Sequence, residues 1–356
     1  MRARDLEIEI GTGTPGPNNA ITDVEGVRVG YTTLVEGEDV RTGVTVVIPP
    51  EVPLFAGPHR LNGNGELTGL EWVRESGMLT TTVAITNTHS VGVVHDALIE
   101  AAIKDGLGDD AFSLPVVGET WDGLLNDING MHVRPEHVFA ALEAASGGPV
   151  AEGNVGGGTG MICHHFKGGT GSSSRVLKED QGGYTVGVLV QANHGRRDRL
   201  AIEGIPVGRE IPFDRVPFPG ESASSSIIGV VATDAPLLPG QCARLAQRAG
   251  LGVARTGGAG ENSSGDIFLA FASGNRDVGR TEGTVKLEML PNERIDPLFY
   301  AAIEATEEAI VNALLAAETM TGRGGVTIYA LDPELLVEAL GKRRGGTVAS
   351  NEARSA

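Results

Sequence analysis

The sequence predicts a layered α/β protein, because apolar runs typical of strands alternate with longer helical patterns along its 356 residues. Seven runs are rich in β-branched residues and indicate strands: 27–31, 44–48, 80–85, 184–192, 227–233, 267–272 and 326–331. Several, such as 186–190, are apolar at consecutive positions, which is typical of strands covered on both faces. We therefore expect sheets that are packed on both sides.

Helical patterns occupy four stretches between these runs: 94–104, 134–145, 239–249 and 297–321. In the first, Ala97, Leu98 and Ala101 fall on one face, and Pro135 suits the first turn of the second. The last stretch carries a broad apolar stripe, as expected of a helix that covers a sheet.

Composition and charge exclude several classes of protein. An apolar fraction of 40% excludes a disordered chain, and 52 glycines without a three-residue period exclude collagen. The net charge of −18 disfavours phosphate backbones and anionic lipids, so we expect neither nucleic acid nor a membrane as partner. No apolar window is long enough for a membrane span, no targeting segment is visible, and two cysteines suit a reducing compartment, so we expect a cytoplasmic protein.

Two internal segments look unlike packed elements. Residues 152–174 hold eight glycines, but no Lys-Ser/Thr follows the cluster at 153–160, which favours close backbone packing over phosphate binding. Residues 206–226 are rich in proline and end in serines, so we expect an exposed linker there. The polar residues 342–356 are predicted to form a flexible tail.

The junction of the serine-rich run with the strand at 227–233 is the most informative site. A serine at that boundary, such as Ser226, would be held by the sheet while its preceding peptide stays accessible. This geometry suits attack on its own upstream carbonyl and later action as a chain-terminal nucleophile. The serines equally fit an ordinary loop before a strand, and the segment alone favours that simpler interpretation.

Small polar residues precede or follow two other predicted strands. Ser264 and Asp266 lie two apart, so in extended backbone they face the same side and can hydrogen-bond one cationic group. Asn193 follows a strand and can donate to an oxyanion, and His194 beside it suggests a Ser-His pair. Each segment alone favours the simpler interpretation, turn formation.

Glu119 and Trp121 follow a further apolar stretch. Glu119 can bind a substrate ammonium or can be a solvated charge, and Trp121 can line a pocket or fill a core. The histidines are scattered, the adjacent His164 and His165 would not share one ligand face, and no metal-binding motif occurs. The sequence therefore predicts no metal and no cofactor.

Taken together, these segments resemble the DmpA-like aminopeptidases, which include L-aminopeptidase/D-amidase-esterases and β-peptidyl aminopeptidases. The resemblance runs from Gly11 to about Leu331. It rests on NNAITDVEGVRVG (18–30), VGET (117–120), EGNVGGGTGM (152–161), VLVQAN (188–193), ATDAPLL (232–238) and SGDIFLAF (264–271). Agreement in several segments in the same order is far more specific than any single motif.

The resemblance implies a four-layer αββα sandwich of the kind also found in ornithine acetyltransferases. It implies one catalytic domain over residues 1–341 whose precursor cleaves itself before a serine. By motif that serine is Ser226, which would give fragments 1–225 and 226–356. The family usually has glycine or asparagine before the nucleophile, whereas this chain has Ser225, so Ser224 and Ser225 stay open as alternative starts.

The resemblance also implies roles for the other residues. Ser264 and Asp266 would orient the new amine, Asn193 would stabilise the oxyanion, and Glu119 would pair with the substrate amine. Trp121 stands where the family can carry a tyrosine, and an indole is a donor only. The implied substrates are small peptides, amides or esters with a free amine, and the implied assembly is a homo-oligomer. Acyl transfer to an amine on the same fold, or an uncleaved amine-binding protein without activity, are the alternatives.

Overall fold

The computed structural model describes the backbone of residues 1–220 and 225–352 and the side chains of 1–220 and 225–342. The helices of the described residues are α1 Leu70–Ser76, α2 Val91–Lys104, α3 Pro135–Glu143, α4 Pro239–Arg255, α5 Asp296–Ala316 and α6 Pro333–Glu352. The strands are β1 Arg28–Glu36, β2 Val40–Ile48, β3 Leu54–Gly63, β4 Met78–Leu79, β5 Val83–Asn87, β6 Val116–Thr120, β7 Ile162–Cys163, β8 Phe166–Lys167, β9 Gly169–Val176, β10 Thr185–Asn193, β11 Ser225–Thr233, β12 Ser264–Ala272, β13 Met320–Thr321 and β14 Thr327–Ile328.

Two mixed sheets form the centre of the molecule. A four-stranded sheet has the order β1-β2-β5-β6, and a six-stranded sheet has the order β4-β3-β12-β11-β10-β9. In each sheet one neighbouring pair is parallel, β5 with β6 and β11 with β12, and the other pairs are antiparallel. The pairs β7-β8 and β13-β14 form small separate sheets.

Three apolar layers hold the sheets and helices together. Ile85, Ile228 and Leu269 belong to the layer between the two sheets. Helices α2 and α3 cover the outer face of the four-stranded sheet, and α4 and α5 cover that of the six-stranded sheet. Because each sheet buries both faces, several strand sequences are apolar at consecutive positions. The predicted four-layer αββα sandwich is confirmed.

The sequence located most of the elements. The seven predicted strands fall on β1, β2, β5, β10, β11, β12 and β14, and the four predicted helices fall on α2 to α5. The predictions did not include β3, whose sequence LFAGPHRLNG is interrupted by glycine and proline, nor the short helix α1. Helix α4 extends six residues beyond the predicted end at 249, as far as Arg255.

The glycine-rich segment is packed, which corrects the prediction that residues 152–174 lie outside the packed elements. It contains β7 and β8 and most of β9, and residues 156–174 are all buried. A Cβ at Gly171 would lie 2.0 Å from the carbonyl oxygen of Ala309 in α5. A Cβ at Gly157 would lie 2.2 Å from Oε1 of Gln191. The glycines therefore permit close backbone packing between layers, as expected for 153–160.

The proline-rich segment is anchored where the structure describes it. Ile211 and Val216 are buried in the core beneath α4 and α5, and Arg197 donates to the carbonyl oxygen of Val216. The prediction of an exposed linker is therefore wrong at these buried positions, although residues 212–215, between them, are exposed, and residues 221–224 lie outside the described part. The predicted tail, 342–356, overlaps α6, whose backbone is helical as far as Glu352. Within the described residues, no helix is long and apolar enough to cross a bilayer.

Candidate active site

Three of the predicted site segments meet at one end of the six-stranded sheet. The antiparallel pairing of β10 with β11 places Asn193 opposite Ser226. The parallel pairing of β11 with β12 places Ser226 beside Gly265 and Ser225 beside Ser264. The sheet register therefore pairs residues that are 33 and 39 positions apart in the chain.

The two serines at the start of β11 face opposite sides of the sheet, because side chains alternate along a strand. Ser226 shares its face with Ile228, which packs between the two sheets. Ser225 shares its face with Ile227, which packs toward α4 and α5. Register also assigns Asn193 to the face of Ser226, and Ser264 to the face of Ser225.

Ser226 contacts the carbonyl group that precedes it. Its Oγ donates to the carbonyl oxygen of Ser225 at 2.6 Å and accepts from the backbone N–H of Gly265 at 3.2 Å. The side chain is buried. A Cβ at Gly265 would lie 2.6 Å from the carbonyl oxygen of Asn64, so glycine allows the chain after β3 to approach here.

A chain of hydroxyl and carboxylate groups occupies the opposite face. Ser264 Oγ donates to Oδ1 of Asp266 at 2.5 Å, and the two side chains lie on one face, as their spacing of two residues predicted. The same Oγ lies 3.2 Å from Oγ of Ser225, which accepts from the backbone N–H of Gly195 at 3.4 Å. Burial raises the pKa of Asp266 to about 6, against the lowering effect of the hydrogen bond from Ser264.

Asn193 is fixed through both ends of its amide group. Its Oδ1 accepts from the backbone N–H of Ile162 at 2.7 Å, and its Nδ2 donates to the carbonyl oxygen of Trp121 at 3.0 Å. The contact with Trp121 uses one of the two hydrogens on Nδ2. Trp121 therefore meets the site through its backbone, while its indole ring packs over Gly123.

Glu119 lies at the end of β6, on the other sheet. Its Oε1 accepts from the backbone N–H of Glu66 at 2.9 Å, and its Oε2 accepts from the hydroxyl of Thr88. Burial raises the pKa of this carboxyl group, and these two hydrogen bonds lower it. A Cβ at Gly65 would lie 3.1 Å from both Glu119 Oε1 and Gly265 Cα, so glycine at position 65 lets the carboxylate lie near the strand position beside Ser226.

Sequence reasoning missed three residues that support these groups. Thr88 and Gly65 carry no motif, because their roles arise only when the two sheets stack. Lys167 is fully buried, and its ammonium donates to the carbonyl oxygens of Met161 at 2.9 Å and Gly168 at 2.8 Å. Burial lowers the pKa of Lys167 to about 7. Its bond to Met161 fixes the segment whose next residue, Ile162, holds Asn193.

His194 does not pair with Ser226 in the structure, contrary to the Ser-His hypothesis. Its ring lies beside Cys163 and His164, with Nδ1 3.8 Å from the Cys163 Sγ and the two imidazole centroids 5.2 Å apart. The spacing of the histidines had predicted no metal site. The hairpin formed by β7 and β8 nevertheless brings two possible metal ligands, Cys163 and His164, beside a third, His194.

Two stacked sheets with helices on both outer faces, and a cluster of polar groups at a central strand end, have the architecture of the N-terminal-nucleophile (Ntn) hydrolase fold. The chain belongs to peptidase family S58, which matches residues 19–328. This membership confirms the resemblance drawn from the sequence motifs and makes the protein an aminopeptidase.

Similar proteins agree over almost the whole chain. The sequence is 49% identical to the β-peptidyl aminopeptidase BapA of Sphingosinicella microcystinivorans, over 96% of this chain and 92% of that protein. A solved Burkholderia sp. β-aminopeptidase has a TM-score of 0.90 and 54% identity, covering 96% of this chain and 99% of that one. The L-aminopeptidase D-Ala-esterase/amidase of Ochrobactrum anthropi, described as a prototype of serine aminopeptidases and a variant of the Ntn hydrolase fold, has a TM-score of 0.87 and 44% identity, covering 96% and 98%.

Proposed function

We propose that this protein is a self-processing aminopeptidase whose nucleophile is Ser226. The contact between Ser226 Oγ and the carbonyl oxygen of Ser225 carries the proposal, because it holds the hydroxyl next to the peptide bond between Ser225 and Ser226. Cleavage would give fragments 1–225 and 226–356. The same proposal covers small peptides, amides and esters with a free amine as substrates. A homo-oligomeric assembly and a cytoplasmic location remain predictions.

Self-cleavage follows from the position of the Ser226 hydroxyl. Oγ attacks the carbonyl carbon of Ser225, the peptide C–N bond breaks, and the nitrogen of Ser226 takes up the proton that the hydroxyl loses. The product is an ester between Ser225 and Ser226 Oγ together with a free amine. Water hydrolyses this ester, which leaves a carboxylate on Ser225 and restores the Ser226 hydroxyl.

In the mature enzyme the terminal amine of Ser226 serves as the base. An α-amine has an ordinary pKa of about 7.7–8.0, so near neutral pH a useful fraction can take the proton of its own hydroxyl. The Asp266 carboxylate is hydrogen-bonded to the backbone of Ile227, one residue from that amine. This contact supports roles for Ser264 and Asp266 in orienting the amine and stabilising its protonated form.

Two further groups would bind the substrate. The second N–H of Asn193, on the same face as Ser226, would donate to the oxyanion of the tetrahedral intermediate. The Glu119 carboxylate would bind the substrate ammonium and so limit the enzyme to free N-termini. The acyl group passes to Ser226 Oγ, the leaving amine takes a proton, and water hydrolyses the acyl-enzyme. Two of the relatives are β-aminopeptidases, which supports N-terminal β-amino acids as the substrate class.

A comparison of substrates with and without a free amine tests this function directly. We expect β-amino acid amides to be hydrolysed and their N-acetylated forms to be inert. The Glu119→Gln variant should raise KM for the free amides by about 10–100-fold, the value of one hydrogen bond between charged groups. Glutamine keeps an oxygen for the Glu66 N–H, so the site should retain its shape.

The Glu66→Gln variant is the matched control, since it removes a nearby charge without touching the proposed anchor. Steady-state kinetics should find its KM within about threefold of wild type, because exposed charges contribute little. Equal turnover of the N-acetylated amides, or an unchanged KM in Glu119→Gln, would remove Glu119 from its role.

The pH dependence of kcat should reveal the protonation of the Asp266 carboxyl group. Below about pH 6 this carboxyl group becomes protonated as well as the amine, so the slope of log kcat against pH should steepen from one to about two. In Asp266→Asn the slope should stay near one. In Glu261→Gln the steepening should persist but move to lower pH, because the Glu261 charge raises the pKa of Asp266. Wild-type and Asp266→Asn profiles of the same shape would contradict this role.

A further inference from the structure

Three possible metal ligands, Cys163, His164 and His194, form a compact cluster next to Asn193 in the fold. Cys163 ends β7, His164 begins the turn to β8, and His194 directly follows β10. A backbone hydrogen bond of 2.7 Å from the N–H of His164 to the carbonyl oxygen of His194 fastens the two segments together. All three side chains are at least 97% buried. The three potential ligand atoms lie within 4.8 Å of one another.

Two buried histidine nitrogens in this cluster have no hydrogen-bond partner among the described residues. Nδ1 of His164 lies 3.0 Å from the carbonyl oxygen of Arg196, and because a carbonyl only accepts, Nδ1 carries the hydrogen. Nε2 of His164 is therefore a bare lone pair, and it is buried with no hydrogen-bond partner among the described residues. Nε2 of His194 is also buried without a partner in that part of the chain, and Nδ1 of the same ring faces the Cys163 Sγ at 3.8 Å. Buried polar atoms of this kind call for a ligand or water.

The spacing of the cluster is close to that of a metal centre. Three atoms that all lie within 4.8 Å of one another share a central point at most ~2.8 Å from each, whereas zinc bonds are about 2.3 Å to sulfur and 2.0–2.1 Å to nitrogen. Shifts of a few tenths of an ångström would complete the contacts. The bond from His164 Nδ1 to the Arg196 carbonyl is the outer contact that metal-ligating histidines usually make.

We propose that Cys163, His164 and His194 form a buried binding site for a thiophilic metal ion, Zn²⁺ or Cu⁺. The donor set contains one sulfur, two imidazoles and no carboxylate, which suits soft ions and disfavours Mg²⁺ and Ca²⁺. The Cys163 thiol loses its proton to solvent as the sulfur–metal bond forms. The site is separate from the proposed nucleophile, and its existence does not depend on the catalytic proposal.

Cobalt tests the site by absorption rather than by activity. The full-length protein is produced in cells grown in minimal medium with Co²⁺. We expect about one cobalt per chain and a thiolate-to-cobalt charge-transfer band. The Cys163→Ser variant should lose the band, and the cobalt content of the His194→Gln variant should fall by about tenfold or more. Cys242→Ser, which changes the other buried cysteine, should keep both band and metal.

Separate cultures supplied with zinc or copper identify the natural ion by elemental analysis. One bound equivalent of either metal, abolished by Cys163→Ser, supports the proposal. Wild-type protein without a cobalt band and without bound zinc or copper would overturn it, and would assign the histidine lone pairs to buried water. Metal retained equally by wild type, Cys163→Ser and His194→Gln would overturn it as well. If Cys163→Ser fails to fold, His164→Gln and His194→Gln decide the result.

Discussion

Replacing Ser226 by alanine is expected to leave the chain uncut and to lower kcat by about 10⁵–10⁶-fold, as removal of a serine nucleophile does elsewhere. The variant loses the hydroxyl that contacts the Ser225 carbonyl and, with it, the route to a free terminal amine. The fold should survive, because alanine fits a buried strand position and the variant loses two hydrogen bonds, the one to the Ser225 carbonyl and the one from the Gly265 N–H. Denaturing electrophoresis and a peptide-amide assay measure the two effects.

Ser225→Ala is the matched control one residue upstream. Its hydroxyl faces the other side of the sheet, toward Ser264, so its loss should leave processing intact and change kcat by no more than about tenfold. Ser224→Ala, at a position outside the described residues, should also be processed. If Ser225→Ala blocks cleavage while Ser226→Ala is cut and active, the nucleophile assignment moves to Ser225.

Removing the amide of Asn193 is the second large change. Asn193→Ala should lower kcat by about 10²–10³-fold with little change in KM, because an oxyanion donor acts on the transition state rather than on bound substrate. The same variant also loses the bonds to Ile162 and Trp121. Kinetics must therefore be normalised to the folded fraction, which circular dichroism measures.

Asn193→Asp separates the two roles of this side chain. A carboxylate keeps an acceptor for the Ile162 N–H but offers no donor to an oxyanion. We expect kcat in this variant to fall at least as far as in Asn193→Ala while the segment around Ile162 keeps its structure. A kcat within about threefold of wild type in either variant would exclude Asn193 as the oxyanion donor.

Local patterns predicted the parts of the site that lie within one strand. The spacing of Ser264 and Asp266 placed both on one face, and the hydrogen bond between them agrees. The apolar run after Ser226 correctly indicated a buried strand. Glu119, on a different sheet, was connected to the site only through family resemblance, because stacking of two sheets leaves no local signal.

Contacts between distant segments explain what the sequence did not predict. The glycines at 152–174 resembled a loop because glycine is common in turns, yet they allow β9 and the preceding turn to pack against α5 and β10. His164 looked unsuited to a metal because His165 adjoins it. Its actual neighbours are Cys163, in the same hairpin, and His194, on another segment. The pairing of β7 with β8 and the backbone hydrogen bond from His164 to His194 bring them together.

The N-termini of the purified, denatured protein test the central claim most directly. Intact mass combined with N-terminal sequencing should find two polypeptides, one beginning at Met1 and one at Ser226, whose masses sum to the full chain plus one water. A single 36.9-kDa chain that begins only at Met1 and still hydrolyses amides with a free amine would contradict the account.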